Sequence, residues 1–321
     1  MDIVALGEIL IDFVEVGHSD EPLPKYVAQP GGAPANVLCT ASRFSRRCAL
    51  IGKVGQDKFG EQLMQTLHQH EIEANNVIVS PRYNTTLAFV HLDPNGDRSF
   101  SFYREGCADT MLFQDEIDET LLATCKVFHF GSNSLTSNVN KQSTHYALHL
   151  AKQHGAIISF DPNIRTNLWK DSREIKPAIL ELLAFVDILK LSEEELHFLT
   201  GMKNNTEAIK VLHVSYRTPL IVVTLGSQGA MYFYNGEINE VAGFNVQVVD
   251  TTGAGDCFIG AFLATLLEGD APLNRWTDQE ISHAINVANA AGALSTTKYG
   301  AIPSIPTIGQ INALLRERDA K

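Results

Sequence analysis

The chain has 321 residues, 45% of them hydrophobic and 8% aromatic, and its 25 Lys and Arg against 37 Asp and Glu give a formal net charge of −12. Such a length buries about 75% of the surface of the unfolded chain and suits one large domain or two modest ones. The acidic balance excludes a global basic field for nucleic acid or anionic membrane, so an anionic substrate needs a local site.

The first residues, Met1-Asp2-Ile3-Val4, lack the basic start and apolar core of a signal peptide. No run approaches the roughly 18 apolar residues of a membrane span. Ile3 to Leu6 reads as a strand. Residues 9–30 carry Ile9, Ile11, Phe13 and Val14, then a Gly- and Pro-bearing connection. Ala35 to Phe44 reads as a helix and Ala49 to Ile51 as a strand. Phe59, Leu63 and Leu67 fall at helical spacing within Phe59 to His70. Residues 84–105 read as a hairpin: Thr86 to Leu92, a turn at Asp93-Pro94-Asn95-Gly96, then Ser99 to Tyr103. Strands follow at Val127 to Phe130, Ile157 to Phe160, Ile188 to Leu191 and Leu220 to Val223, with a helix over Asn140 to His154. Strands alternating with helices imply a mainly parallel sheet covered on both faces. Cys39, Cys48, Cys107, Cys125 and Cys257 are odd in number and not closely paired, which points to a reducing cytoplasm.

Val246 to Val249 alternate loosely, as a strand end would. Asp250-Thr251-Thr252-Gly253-Ala254-Gly255-Asp256 follows, and Cys257 to Leu267 continues as a helix-like apolar run. Glycines permit a tight turn and close approach to a ligand. Free N–H groups in a first helical turn favour a phosphate. Asp256 in the same turn suggests phosphoryl transfer, with the carboxylate beside the acceptor hydroxyl. A plain strand–turn–helix corner with an Asp near its cap is the alternative.

Other phosphate motifs are missing. Gly52-Lys53 is followed by Val54 and has Arg47 where the first Gly of a P-loop belongs, and no Gly-x-Gly-x-x-Gly follows the first strand. His145 and His149, and His68 and His70, lack a third metal ligand.

The Asp250 to Asp256 motif with the following Cys-Phe-Ile-Gly-Ala-Phe resembles the C-terminal signature of the ribokinase-like (phosphofructokinase B type) carbohydrate kinases. Gly31-Gly32-Ala33-Pro34-Ala35-Asn36 fits their N-terminal signature. The resemblance runs from Gly7-Glu8 to the Gly300 region. Phe102-Tyr103-Arg104, and Asp161 to Arg165 with Trp169, are similar to the fructokinase and 2-keto-3-deoxygluconate kinase branches. His129-Phe130-Gly131-Ser132 with Asn133 favours the bacterial fructokinases.

The resemblance implies a ribokinase-like α/β fold, a central mainly parallel sheet flanked by helices, as one domain over residues 1–321. A small β-sheet lid would come from about 9–30 and 84–107. It implies transfer of the ATP γ-phosphoryl to a sugar hydroxyl, with fructose going to fructose 6-phosphate. Asp256 would be the base, and the backbone of Gly253, Ala254 and Gly255 would stabilise the transferring group. Asp12, Gly31, Gly32 and Asn36 would hold the sugar, because a carboxylate and an amide pair with hydroxyls. Arg104, Asn163 and Arg165 join them as candidates, with a surface ion pair as the alternative for either Arg.

Ser192, Thr224, Gly226, Gly229 and Asn289 would meet the nucleotide. Glu195 would serve Mg2+ indirectly, since Ser192 stands where the family has Asn; an acidic first helical turn is the alternative. Asp250, Thr252 and Gly300 mark a K+ loop. Sugar and ATP are the expected partners, with a homodimer left open. Other readings are 2-keto-3-deoxygluconate kinase, ribokinase, a nucleoside or riboside kinase, and a catalytically silent sugar-binding regulator.

Overall fold

The computed structural model describes residues 1–18, 23–92, 98–269 and 272–319. The strands are β1 (Ile3–Leu6), β2 (Leu10–His18), β3 (Pro24–Gly31), β4 (Cys48–Gly55), β5 (Val77–Ser80), β6 (Leu87–Leu92), β7 (Arg98–Tyr103), β8 (Val127–Gly131), β9 (Ile157–Asp161), β10 (Ile188–Ser192), β11 (Leu220–Thr224), β12 (Gly229–Tyr234) and β13 (Glu237–Ala242). Nine form the main sheet in the order β13-β12-β11-β10-β9-β8-β1-β4-β5. From β5 across to β11 every pairing is parallel, and β12 and β13 close one edge as an antiparallel hairpin.

The parallel strands are apolar because both faces are covered. Alternate residues go to opposite layers. On β1, Ile3 and Ala5 join one core while Val4 and Leu6 join the other. The first core includes the helices Ala33–Arg43, Ala254–Leu266 and Asp278–Ser295; the second includes Asn138–Gln153 and Ile175–Leu182.

Sheet order reverses at β1, with β4 on one side and β8 on the other. Open α/β sheets bind ligands outside the carboxyl ends of strands at such a point. Here the chain runs from β1 through Gly7-Glu8-Ile9 directly into the second sheet.

That second sheet has the order β3-β2-β6-β7. It matches the expected lid, and β6–β7 is the expected hairpin. The Asp93 to Gly96 turn lies outside the described residues, as do residues 19–22 of the β2–β3 connection. One lid face carries an aromatic cluster. Phe13 stacks on Phe89 at 4.9 Å, and Tyr26, Tyr103 and Phe59 meet the pair edge-on. Phe59 belongs to the helix Lys58–Gln69, so this face is pinned to the main body. Asp57 caps that helix and also accepts the N–H and hydroxyl of Thr85, both at 2.8 Å, fixing the approach to β6.

One expectation needs correction, and one element adds to the reading. Val246 to Val249 is irregular and not a strand. β13 ends at Ala242, and the Val249 and Asp250 amides bond instead to the Thr296 carbonyl at 2.7 and 3.0 Å. The β12–β13 hairpin went unread, although its turn is Asn235-Gly236 with both residues at positive φ, a strong hairpin signal.

Candidate active site

The helix Ala254–Leu266 begins immediately after Gly253, which has φ +75° and no side-chain cap. A Cβ on Gly253 would stand 2.8 Å from the Ala301 Cβ, so bulk and backbone conformation both require glycine. The Ala254 N–H donates to the Thr251 carbonyl at 3.2 Å. The amides of Gly255 and Asp256 have no acceptor within their own helix, as first-turn geometry dictates.

Asp256 sits in that first turn, buried, with each carboxylate oxygen held by a different chain segment. Asn36 Nδ2 donates to Oδ2 at 2.8 Å, and Asn163 Nδ2 donates to Oδ1 at 3.1 Å. Asn36 comes from the helix of the N-terminal signature. Asn163, at φ +43°, comes from the loop after β9. Three of the predicted residues, more than 90 positions apart in sequence, thus converge on one carboxylate. Burial pushes the Asp256 carboxyl up to about 6, against the lowering hydrogen bond from Asn36; Asp161 adds to the rise, and Arg165 and Lys190 oppose it.

Asp12 lies on β2 and its carboxylate covers Gly31, where a Cβ would collide with it. Burial, then the charges of Glu8 and Asp256, raise its carboxyl to about 7, while Arg165 lowers it. Arg165 forms no ion pair among the described residues; its Nη1 donates to the Ile164 carbonyl at 3.3 Å. Arg104 is placed differently. It is buried, with Nε on Asp109 at 2.6 Å, Nη1 on Thr136 at 2.6 Å and Nη2 on the Asn133 carbonyl at 3.1 Å. It therefore ties the end of β7 to the loop after β8.

Three participants escaped the sequence reading. Lys190 projects from β10 and pairs with Asp161 at 2.9 Å, both buried. A Cβ on Gly255 would stand 3.0 Å from its Nζ, so the ammonium lies directly beneath the phosphate corner. Burial alone would lower the Lys190 pKa, but Asp161 and Glu195 raise it, and it stays charged. Its signal was a single Lys inside Ile188 to Leu191, which a buried strand tolerates only when paired. Glu8, at the end of β1, accepts from the Ala33 amide at 3.2 Å and Asn133 Nδ2 at 3.0 Å. It bridges the sheet reversal and orients the Gly31-Gly32 turn. Asp109 is the third, as counterion to Arg104 and acceptor of the Thr86 hydroxyl.

Ser192 and Glu195 form a capping box on Glu193–Thr200. The second Glu195 oxygen accepts the Ile164 amide at 2.7 Å. Its carboxyl is raised by burial and by Asp161. Thr224, Gly226, Gly229 and Asn289 line a cavity of about 360 Å³ that reaches Ala254 and Gly255; Ser192 is not among its lining residues. Asn289 lines it while its amide donates to the Val241 and Ala242 carbonyls at 3.1 and 3.3 Å. Asp250 accepts Thr252 N–H at 2.7 Å and Gly300 N–H at 2.8 Å, so the three residues of the expected cation loop meet around one carboxylate.

The arrangement sets a buried carboxylate at a helix start opposite the Asp12 carboxylate of the lid, with a cavity leading to the same helix start. A model of the pfkB family of carbohydrate kinases matches residues 1–308. Probable fructokinase-4 of Arabidopsis thaliana is 39% identical, the match covering 98% of this chain and 96% of the relative. The ATP-bound fructokinase of Xylella fastidiosa superposes with a TM-score of 0.91 at 30% identity, over 99% of each chain. A fructokinase of Vibrio cholerae O395 with fructose, ADP and calcium ion superposes with a TM-score of 0.88 at 33% identity, over 98% of this chain and 99% of that one.

Proposed function

The chain belongs to the pfkB family of carbohydrate kinases, and from that premise we propose that it phosphorylates fructose at the expense of ATP, giving fructose 6-phosphate. The observation that carries this reading is the Asp256 carboxylate, held by Asn36 and Asn163 at a helix start between the lid face and the nucleotide-sized cavity.

ATP occupies the cavity lined by Thr224, Gly226, Gly229 and Asn289, its γ-phosphate at the start of Ala254–Leu266. The sugar lies between Asp12, the Gly31-Gly32 turn and Asn36. Asp256 accepts the proton of the attacking hydroxyl as its oxygen bonds to the γ-phosphorus and the bond to the β-phosphate oxygen breaks, releasing ADP. The transition state is largely dissociative, so positioning and charge outweigh base strength. Free first-turn amides and the Lys190 ammonium meet the charge of the transferring group. Arg165 is the second cation on this side, facing both Asp12 and Asp256.

Among the described residues no group of three or more His, Cys, Asp or Glu could hold a metal. A divalent ion therefore suits the site as the companion of the triphosphate, mostly hydrated. Glu195, whose two oxygens accept the Ile164 and Ser192 amides, would act on its water shell. A monovalent cation such as K+ would sit at the loop where Thr252 and Gly300 meet around the Asp250 carboxylate. In our reading the five free cysteines fit a reducing cytoplasm. No helix among the described residues is long and apolar enough to cross a membrane. Val16 and Tyr103 stand exposed on the lid, where a second copy could pair.

An ADP-release assay across fructose, 2-keto-3-deoxygluconate, ribose and nucleosides tests the proposal. Fructose should give the highest kcat/KM. Preference for another acceptor would overturn the fructose assignment, and no turnover with any sugar that binds would favour a silent regulator.

A further inference from the structure

Gln29 belongs to neither signature and lies on β3, two residues before Gly31. It is the register partner of Asp12, and Ala88 flanks Asp12 from the other side. Residues directly opposite share a face of the sheet. The site-facing row of the lid therefore reads Gln29, Asp12, Ala88, Phe102. The Gln29 carboxamide lies over Gly300, where a Cβ would occupy the place of Oε1. The Gly300 N–H points elsewhere, to Asp250. Oε1 is buried and accepts no hydrogen bond among the described residues. Ala301, the next residue, abuts Gly253, whose own Cβ would lie 3.7 Å from Asn36 Nδ2. The Gln29 carboxamide thus joins the lid to the Gly300 loop, whose Ala301 packs on the phosphate corner. Asn36 Oδ1 is another buried acceptor without a partner among the described residues.

A buried amide oxygen left unpaired is costly, and a site built to pair a hydroxyl rejects analogues that lack it. We propose that Gln29 is a specificity-determining residue whose Oε1 accepts a hydrogen bond from a sugar hydroxyl neighbouring the one held by Asp12. This rests on the sugar-kinase reading of the site. The pair of acceptors selects sugars with adjacent hydroxyls at those positions and disfavours the corresponding deoxy sugar.

Gln29→Met keeps the length of the side chain and removes the acceptor. Steady-state kinetics of wild type and variant, with the best sugar of the panel and its monodeoxy analogues, provide the test. The variant should raise the sugar KM about tenfold while kcat and the KM for ATP stay within about twofold, as for loss of one neutral hydrogen bond. One deoxy analogue should be equally poor for both proteins. An unmoved sugar KM overturns the proposal, as does a change confined to the KM for ATP, which would mark Gln29 as packing for the Gly300 loop. Wild-type turnover with an unmoved KM in the variant sinks this proposal alone. Failure of the wild type with every sugar sinks the kinase reading and this proposal with it.

Discussion

Replacing Asp256 with Asn keeps size and polarity but removes the proposed proton acceptor. Turnover should fall by about 10²–10⁴, the range for loss of general acid–base catalysis, while calorimetry still detects ATP and sugar. Near-normal kcat would refute the role. The ionised Asp256 carboxylate is disfavoured in the fold, its pKa being about 6 against an ordinary 3.8. Stability is therefore lost as pH rises from about 4 through about 6 and stays lower above that range. The Asn variant escapes this cost, worth up to about 3 kcal/mol, so its Tm should be higher than wild type at pH 8 and lose that advantage at pH 4.

The same residues set the pH profile. Asp256 must be ionised to accept a proton, and Asp12, raised to about 7, must be ionised to receive two hydroxyls. Wild-type kcat/KM for the sugar should fall as pH drops from 8 to 5, more steeply than one proton allows. Asp12→Asn should leave a shallower limb centred near 6. A single-proton limb in wild type would contradict the double requirement.

Two helices set how Asn36 and Asp256 meet. Gly260 lies one turn beyond Asp256, and Thr40 one turn beyond Asn36. A Cβ on Gly260 would stand 2.5 Å from the Val37 carbonyl oxygen and 2.7 Å from the Thr40 Cβ. Gly260→Ala must push the helices apart, costing about 1–3 kcal/mol of stability as overpacking does. It should also weaken the 2.8 Å Asn36–Asp256 bond and lower kcat, although residue 260 touches no ligand. A variant with wild-type Tm and kcat would show that the helices are not in register through this contact.

At this scale the sequence spoke unevenly. The strand–helix alternation and both glycine turns were readable, because periodicity and turn chemistry are local. The meeting of Asn36, Asn163 and Asp256 was readable only as separate candidates, since their convergence depends on the sheet order. Lys190 looked like one polar residue in an apolar strand; its partner Asp161 sits on the neighbouring strand. Glu8 and Gln29 contact chain segments distant in sequence. Arg104 was picked out for its charge, but Asp109, five residues on, engages it.

Across the whole molecule, the lid and main sheet share chain crossings at Gly7 to Ile9, Gly31-Gly32, Thr85-Thr86 and Arg104. The aromatic face is fixed to Lys58–Gln69, while the opposite face carries Asp12 and the proposed sugar site. Sugar binding should therefore protect lid amides in hydrogen exchange, most at β2 and β3, and leave β1 and β8 to β11 little changed. Equal protection of both sheets, or none in the lid, would place the sugar elsewhere.

The parallel pairing of β2 with β6 joins Ile11 to Leu87, with β4, the Lys58–Gln69 helix and β5 in between. Closing so long a loop is entropically costly until those intervening elements have condensed. A growing or refolding chain is therefore late to complete the lid face that carries Asp12. Until then β2 and β6 are unpaired edges with apolar residues, the kind of surface that chaperones capture and that seeds aggregation.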